Sequence, residues 1–408
     1  MSPKGLLFNS GSMISSGIFQ SIVAFSSNLI LVRFLSPSEF GVFAIILANA
    51  TLLAAFSNLR VNDLIIRSSE IELQNNIENY FGYIISLTIF LFVGGLIFIY
   101  LSGYFGVRSF LVLLAVVIGP IIQFQMALYE RKLEYSNISK IESGSSLLSH
   151  SLAALGVLMG MGAIVLYLRI LALPIFVIIG LFLKKGFMRL PTIKFSSSHI
   201  SNVFKQSKWI WLDSTLEQVF ERAIYILANF LGNSAAVGFF FQAKRLSVVP
   251  HQLLQPFTTR VLLNYLSKAK PKEQHTLFKK VILVEIIALS SACFILYFYG
   301  QQLVHLLFGS KWAPVSEILI ALLGVVAFLS IYNSFKAFYI AKKDVKQFIF
   351  FGRLSFFVSL GISFLFFKFC FNLESNILIL AYSISIGYGI ASLILLLKYF
   401  LSTNLKLA

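Results

Sequence analysis

The chain has 408 residues, of which 58% are hydrophobic and only 12% charged, and 43 are Phe. Too little polar surface remains to cover a soluble fold, so the chain is an integral membrane protein. Its formal charge of +17 does not point to nucleic acid, because the basic residues are spread over loops flanking the apolar runs and form no basic domain.

Apolar runs of about twenty residues recur along the chain, whereas outer-membrane strands are about ten residues long and alternate in polarity, so the spans are helices. Twelve are predicted, and the first six cover 11–32, 41–59, 81–101, 109–128, 144–159 and 163–183. The fifth and sixth form an almost unbroken apolar run, divided at Gly160-Met161-Gly162 because paired glycines favour a turn. The second six cover 208–231, 236–258, 281–299, 314–335, 347–369 and 376–397. The expected domains are an N-terminal lobe over 1–183, a basic cytoplasmic linker over 184–207 and a C-terminal lobe over 208–408. No cleavable signal peptide is expected, since the first apolar run is long and is interrupted by Gln20 and Asn28.

The two halves echo one another. Arg33-Phe34-Leu35-Ser36-Pro37-Ser38-Glu39-Phe40-Gly41-Val42-Phe43 returns, displaced by about 196 positions, as Asn229-Phe230-Leu231-Gly232-Asn233-Ser234-Ala235-Ala236-Val237-Gly238-Phe239. Phe105-Gly106-Val107-Arg108 returns as Phe308-Gly309-Ser310-Lys311, and Ala127-Leu128-Tyr129 with Lys132 and Glu134 returns as Ala337-Phe338-Tyr339 with Lys342 and Asp344. Three echoes in one order read as an internal duplication, a recurrent feature of transporter folds.

Lysine and arginine set the orientation. Alternate loops place 23 of the 33 on the side of the N-terminus, 4 on the other side and 6 inside spans, so both termini are expected in the cytoplasm. Cys293 and Cys370 lie in apolar spans and form no paired motif. No phosphate-binding Gly-rich loop and no metal-ligand spacing of histidines occurs, so neither an ATPase nor a metal site is expected, and no cofactor is implied. A membrane glycosyl polymerase would carry a large external loop, and every external loop here is short.

What remains is charge placed inside the membrane, which costs roughly 2.5–3.5 kcal/mol per residue and normally faces a polar cavity or a partner. Arg169, Lys336 and Arg353 lie near helix ends and are expected to snorkel. Arg222 and Lys244 fall on either side of the turn at Ser234, roughly 15–18 Å below it at 1.5 Å per residue, and Arg245 is adjacent. These three cations either receive an anionic substrate or form structural pairs with Asp213, Glu217 and Glu221, which are spaced by four along the seventh helix. The acids in turn either carry protons or compensate the cations. Ser12, Ser16 and Gln20 make a polar face on the first helix, for packing or for substrate.

The run Arg33 to Gly41, Glu221-Arg222-Ala223-Ile224-Tyr225, Phe230-Leu231-Gly232, Val237-Gly238-Phe239, Ala243-Lys244-Arg245-Leu246 and Leu307-Phe308-Gly309 resemble the bacterial polysaccharide flippase family. Multidrug and toxin extruders and lipid II flippases belong to the same superfamily. The resemblance implies an all-α polytopic membrane protein whose twelve helices form two pseudo-symmetric six-helix lobes around a central cavity. It implies a non-enzymatic transporter that moves undecaprenyl-diphosphate-linked oligosaccharide repeat units across the inner membrane by alternating access, for O-antigen, capsule or exopolysaccharide synthesis. Arg33, Arg222, Lys244 and Arg245 match positions thought to receive diphosphate and sugar acids. Implied partners are membrane lipids, a polysaccharide polymerase and a chain-length regulator. A cation-coupled drug exporter and a membrane glycosyl polymerase are the alternatives. The sequence departs from the family pattern with Glu221 where Asp is frequent, and the turn at 232–236 lacks the Pro and Glu of the first copy.

Overall fold

The computed structural model describes residues 3–57, 65, 70–132, 134–184, 197–256, 262, 266, 271–370 and 375–404. Half of the linker expected over 184–207 (185–196) and the basic residues Arg60, Arg189, Lys194, Arg260 and Lys270 lie outside this set, as does the side chain of Ser12.

The helices are α1 (Pro3–Phe34), α2 (Pro37–Ser57), α3 (Glu70–Leu101), α4 (Val107–Arg131), α5 (Tyr135–Leu158), α6 (Ile164–Leu183), α7 (Ser197–Leu231) and α8 (Ser234–Pro256). There follow α9 (Pro271–Phe308), α10 (Pro314–Ala321), α11 (Leu323–Ala341), α12 (Val345–Cys370, with a π-helical turn at Ile349–Leu354) and α13 (Asn376–Asn404). The tenth predicted span is thus two segments, broken at Leu322. Several helices outrun their apolar stretches: α9 replaces a predicted 281–299 and, with 38 residues, is about 57 Å long at 1.5 Å per residue. Hydropathy marks only the part of a helix that lies in hydrocarbon, and the polar turns beyond it continue the same hydrogen-bond ladder.

Among the described residues, nine helices are long and apolar enough to cross a membrane. The long helices outside that group are α5, α7 and α8, and α7 and α8 carry the cations singled out above. Many large apolar side chains are solvent-facing in the isolated chain, among them Ile89, Phe90 and Val93 on α3 and Phe294, Ile295 and Phe298 on α9. Such exposed apolar faces suit lipid.

Two compact units are present, one comprising Met1–Ser36 and Val42–Ile226, the other Pro37–Gly41 and Leu227–Ala408. In the first, α5 packs on α1 and α6, while α4 packs on α3 and α6. Ser16 Oγ shares a 2.7 Å hydrogen bond with Ser143 Oγ, and Ser27 Oγ donates to the carbonyl of His150 on α5. Ser16 of the polar face thus packs against α5. The turn at Gly160-Met161-Gly162 is where expected, with φ of 81° at Gly160 and 63° at Gly162, a left-handed conformation that glycine adopts without steric cost.

In the second unit, α11 packs on α8, α9 and α13, and α12 packs on α13. Phe278 stacks on Phe338 at 4.5 Å between ring centres and meets Phe335 at 5.0 Å and Tyr399 at 5.3 Å, which ties α9 to α11 and α13. Trp312, fully buried, is ringed by Phe40, Phe239 and Phe308.

The repeated turn is a contact with its own copy. Ser38 Oγ and Ser234 Oγ, 196 residues apart, lie 2.7 Å from each other. A Cβ at Gly41 would fall 1.6 Å from the Ser234 carbonyl oxygen, and one at Gly238 would fall 1.9 Å from that of Pro37. Glycine is required at both positions because the first turns of α2 and α8 cross backbone to backbone. The two copies start their helices differently. Pro37 occupies the first position of α2, where its missing N–H is not needed, while Asn233 Oδ1 caps α8 by accepting from Ala236 N at 2.9 Å. The third echo repeats in the backbone as well. Glu134 N donates to Tyr129 O at 3.1 Å and Asp344 N to Tyr339 O at 2.9 Å, each after a bond from Lys132 or Lys342 to the residue four before it.

Candidate functional site

Within the first unit, α7 carries Asp213, Glu217, Glu221 and Arg222, and Arg222 reaches α2. Asp213 is buried and the other three are half-buried. Arg222 Nε donates to Thr51 Oγ1 at 3.1 Å, and Thr51 Oγ1 donates in turn to the Leu47 carbonyl at 2.7 Å, a back-bond that fixes the hydroxyl as an acceptor for the guanidinium. Trp211 Nε1 donates to the Phe56 carbonyl at 3.2 Å, so α7 is held to α2 at a second point. No ion pair joins Arg222 to the acids of its own helix among the described residues, and its Nη groups bond no protein atom there. Arg33 is exposed at the end of α1.

Within the second unit, Lys244 on α8 is buried, 5% exposed, and Arg245 is half-buried. Ser247 Oγ donates to the Lys244 carbonyl at 2.8 Å, and His251 Nε2, one turn further on, lies 3.1 Å from Asn333 Nδ2 of α11. The structure thus gives α8 a polar, cationic stripe in a membrane-embedded unit. Outside the spans, burial lowers the pKa of the Lys311 ammonium, and the nearby Glu39 carboxylate partly offsets that effect.

Two cations expected to snorkel do not. Arg169 on α6 is 9% exposed, and Arg353 is 3% exposed beneath the rings of Tyr332 and Phe348, at 5.3 and 5.7 Å. Neighbouring helices close over both positions, and for Arg353 the aromatic faces replace part of the lost hydration. Sequence reasoning also passed over Glu285, an acid inside the apolar run 281–299, where a lone charge was the available signal. It passed over a cavity of about 380 Å³ in the first unit as well, lined by Gln20, Gln123, Glu130 and Glu142 from α1, α4 and α5. The acids there sit on helices whose apolar faces dominate their hydropathy.

The model of the polysaccharide biosynthesis protein family matches residues 30–317. The chain belongs to this family. It is 28% identical over 308 residues, 71% of its length, to an uncharacterized membrane protein in the cps region of Klebsiella pneumoniae, and covers 62% of that protein. It is 27% identical over 238 residues, 57% of its length, to the lipopolysaccharide biosynthesis protein WzxC of Escherichia coli strain K12, and covers 48% of it. The chain thus spans about half to three fifths of these curated relatives. Its fold is that of the lipid II flippase MurJ in an inward closed conformation, with a TM-score of 0.68 at 18% identity, over 96% of this chain and 87% of MurJ. A multi-pass membrane protein of the polysaccharide biosynthesis family therefore carries these cations.

Proposed function

We propose that this protein is a flippase that carries undecaprenyl-diphosphate-linked oligosaccharide repeat units of a surface polysaccharide across the bacterial inner membrane, with both termini in the cytoplasm. The observation that carries the reading is Arg222, a half-buried guanidinium steadied by Thr51 through Nε alone. Its remaining N–H groups suit a phosphoryl oxygen, which a planar guanidinium binds bidentately. Lys244 and Arg245 supply further positive charge in the second unit, and Arg33 stands at an external turn where sugar acids would be met. A diphosphate and several sugar hydroxyls cannot enter hydrocarbon unassisted, since each unsatisfied polar group costs several kcal/mol. Alternating exposure of the cations to the two faces would lower that barrier for the headgroup while the prenyl tail stays in lipid. A polymerase and a chain-length regulator are the partners that would take up the flipped units.

A second reading, a cation-coupled drug exporter, is favoured by Asp213, Glu217 and Glu221 on α7. Gene deletion separates the two. A flippase mutant traps completed repeat units at the cytoplasmic face, closed to an impermeant lectin in intact spheroplasts, and loses surface glycan. An exporter mutant keeps its surface glycan and gains drug sensitivity. Outward-facing lipid-linked glycan at wild-type amounts in the deletion strain, with no related transporter present, would overturn the flippase assignment.

A further inference from the structure

The stripe of α9 that faces α11 is apolar at Phe278, Ile282 and Leu289, and at its far end Cys293 Sγ lies 3.6 Å from the Leu323 carbonyl. In the middle of this stripe stands Glu285, 2% exposed. Ser330 Oγ and Ser334 Oγ, one turn apart on α11, both donate to its Oε1 at 2.9 Å, and among the described residues Oε2 has no hydrogen-bond partner. Among the described residues, no arginine, lysine or histidine pairs with it.

Among the described residues, the charged and titratable groups on the neighbouring elements lie elsewhere. On α9 itself, Lys279 and Lys280 are exposed more than a turn away. On α11, Tyr332 and Lys336 are two residues from a serine and therefore on the opposite side of that helix, where Tyr332 meets Phe348 and Tyr388. His251 reaches α11 at Asn333. Glu317 of α10 and Lys311 of the preceding turn are exposed, beyond the Cys293–Leu323 end of the seam.

A bare carboxylate so deeply buried, with only two neutral donors, is costly. We propose that Glu285 is a proton-binding site of the transporter, taking a proton on Oε2 inside the α9–α11 seam and returning it to water when the seam parts, so that proton passage is linked to the transport cycle. The inference rests on the transport reading above but not on the identity of the carried lipid. Serine hydroxyls suit this role because they stabilise the transient anion without neutralising it, as a lysine would, and so leave both protonation states accessible.

The test begins without substrate. Infrared difference spectra of the full chain in lipid nanodiscs, recorded between acid and alkaline pH, should contain a protonated-carboxyl band that Glu285→Gln removes and that Asp213→Asn, Glu217→Gln and Glu221→Gln retain. The double variant Ser330→Ala/Ser334→Ala should move the pH at which the band titrates, which keeps the proposal open to refutation if Glu285→Gln does not fold. Persistence of the band in Glu285→Gln, or a wild type without a pH-sensitive carboxyl band, would overturn the site. Loss of the band on adding sodium at constant pH would make it a sodium site instead. In proteoliposomes holding a lipid-linked oligosaccharide, the ratio of flipping with and without an imposed pH gradient should fall to unity in Glu285→Gln. An undiminished ratio would overturn the linkage. If the wild type flips no lipid-linked sugar at all, the flippase assignment falls while the infrared result decides the proton site by itself.

Discussion

Replacing Gly41 by Ala tests whether the repeated turn holds the second unit together. The added methyl would lie 1.6 Å from the Ser234 carbonyl oxygen, where ordinary contact begins at 3.4 Å, so the first turns of α2 and α8 must separate by about 1.8 Å. The obstructing atom is backbone and cannot rotate aside. A gap of 0.5–1 Å already forfeits roughly a quarter to a half of a dispersion well, and the contacts at risk include Phe40 with Trp312 at 5.5 Å and Phe40 with Phe241 at 6.4 Å. Overpacking costs about 1–3 kcal/mol where side chains can adjust, so about 3 kcal/mol or more is expected here, roughly a 150-fold change in the folded-to-unfolded ratio. Gly238→Ala, 1.9 Å from the Pro37 carbonyl, should behave alike. Gly361 on α12 has nothing within 4 Å of the added atom, and Gly361→Ala should be neutral or stabilising by about 0.5–1 kcal/mol through helix propensity. The assay is recovery of monodisperse protein from detergent after a graded heat step. Coincident heating curves for Gly41→Ala and Gly361→Ala would refute the close crossing.

Alanine at Arg222, Lys244 or Arg245 should lower flipping roughly tenfold to a hundredfold at near-normal membrane levels, since a charge-assisted hydrogen bond contributes about 1.5–3 kcal/mol. Arg222→Lys should recover only part of the loss, and Thr51→Val, which removes the Nε acceptor, should cost roughly two- to tenfold; wild-type rates in all three alanine variants would dismiss the diphosphate site. Reporter fusions after Arg60, Lys194, Lys270 and Ala408 should read as cytoplasmic, and fusions near Pro37, Gly106, Ser234 and Gly309 as external, as the 23-to-4 division of loop lysines and arginines requires. A C-terminus on the external side would remove the proposed orientation.

Composition and helical-length apolar runs were enough to make this chain an all-helical membrane protein, because a bilayer forces backbone hydrogen bonds to close within each span. The duplication was equally legible, since the turns at Pro37 and Ser234 and the caps at Lys132 and Lys342 keep chemistry that a local backbone geometry demands. The resemblance to polysaccharide flippases rests on the same residues, and the match over 30–317 places the chain in the polysaccharide biosynthesis protein family. Helix ends were less legible, as at α9, because the ladder continues past the point where hydrophobicity stops. Only the tertiary structure decided which charges are buried. Arg169 and Arg353 look like snorkelling residues until neighbouring helices close over them, and Glu285 becomes a site only when Ser330 and Ser334, 45 and 49 residues away, arrive on its Oε1. A sequence records the charge on a helix, but the cost of that charge depends on what surrounds it, and packing between distant segments sets those surroundings.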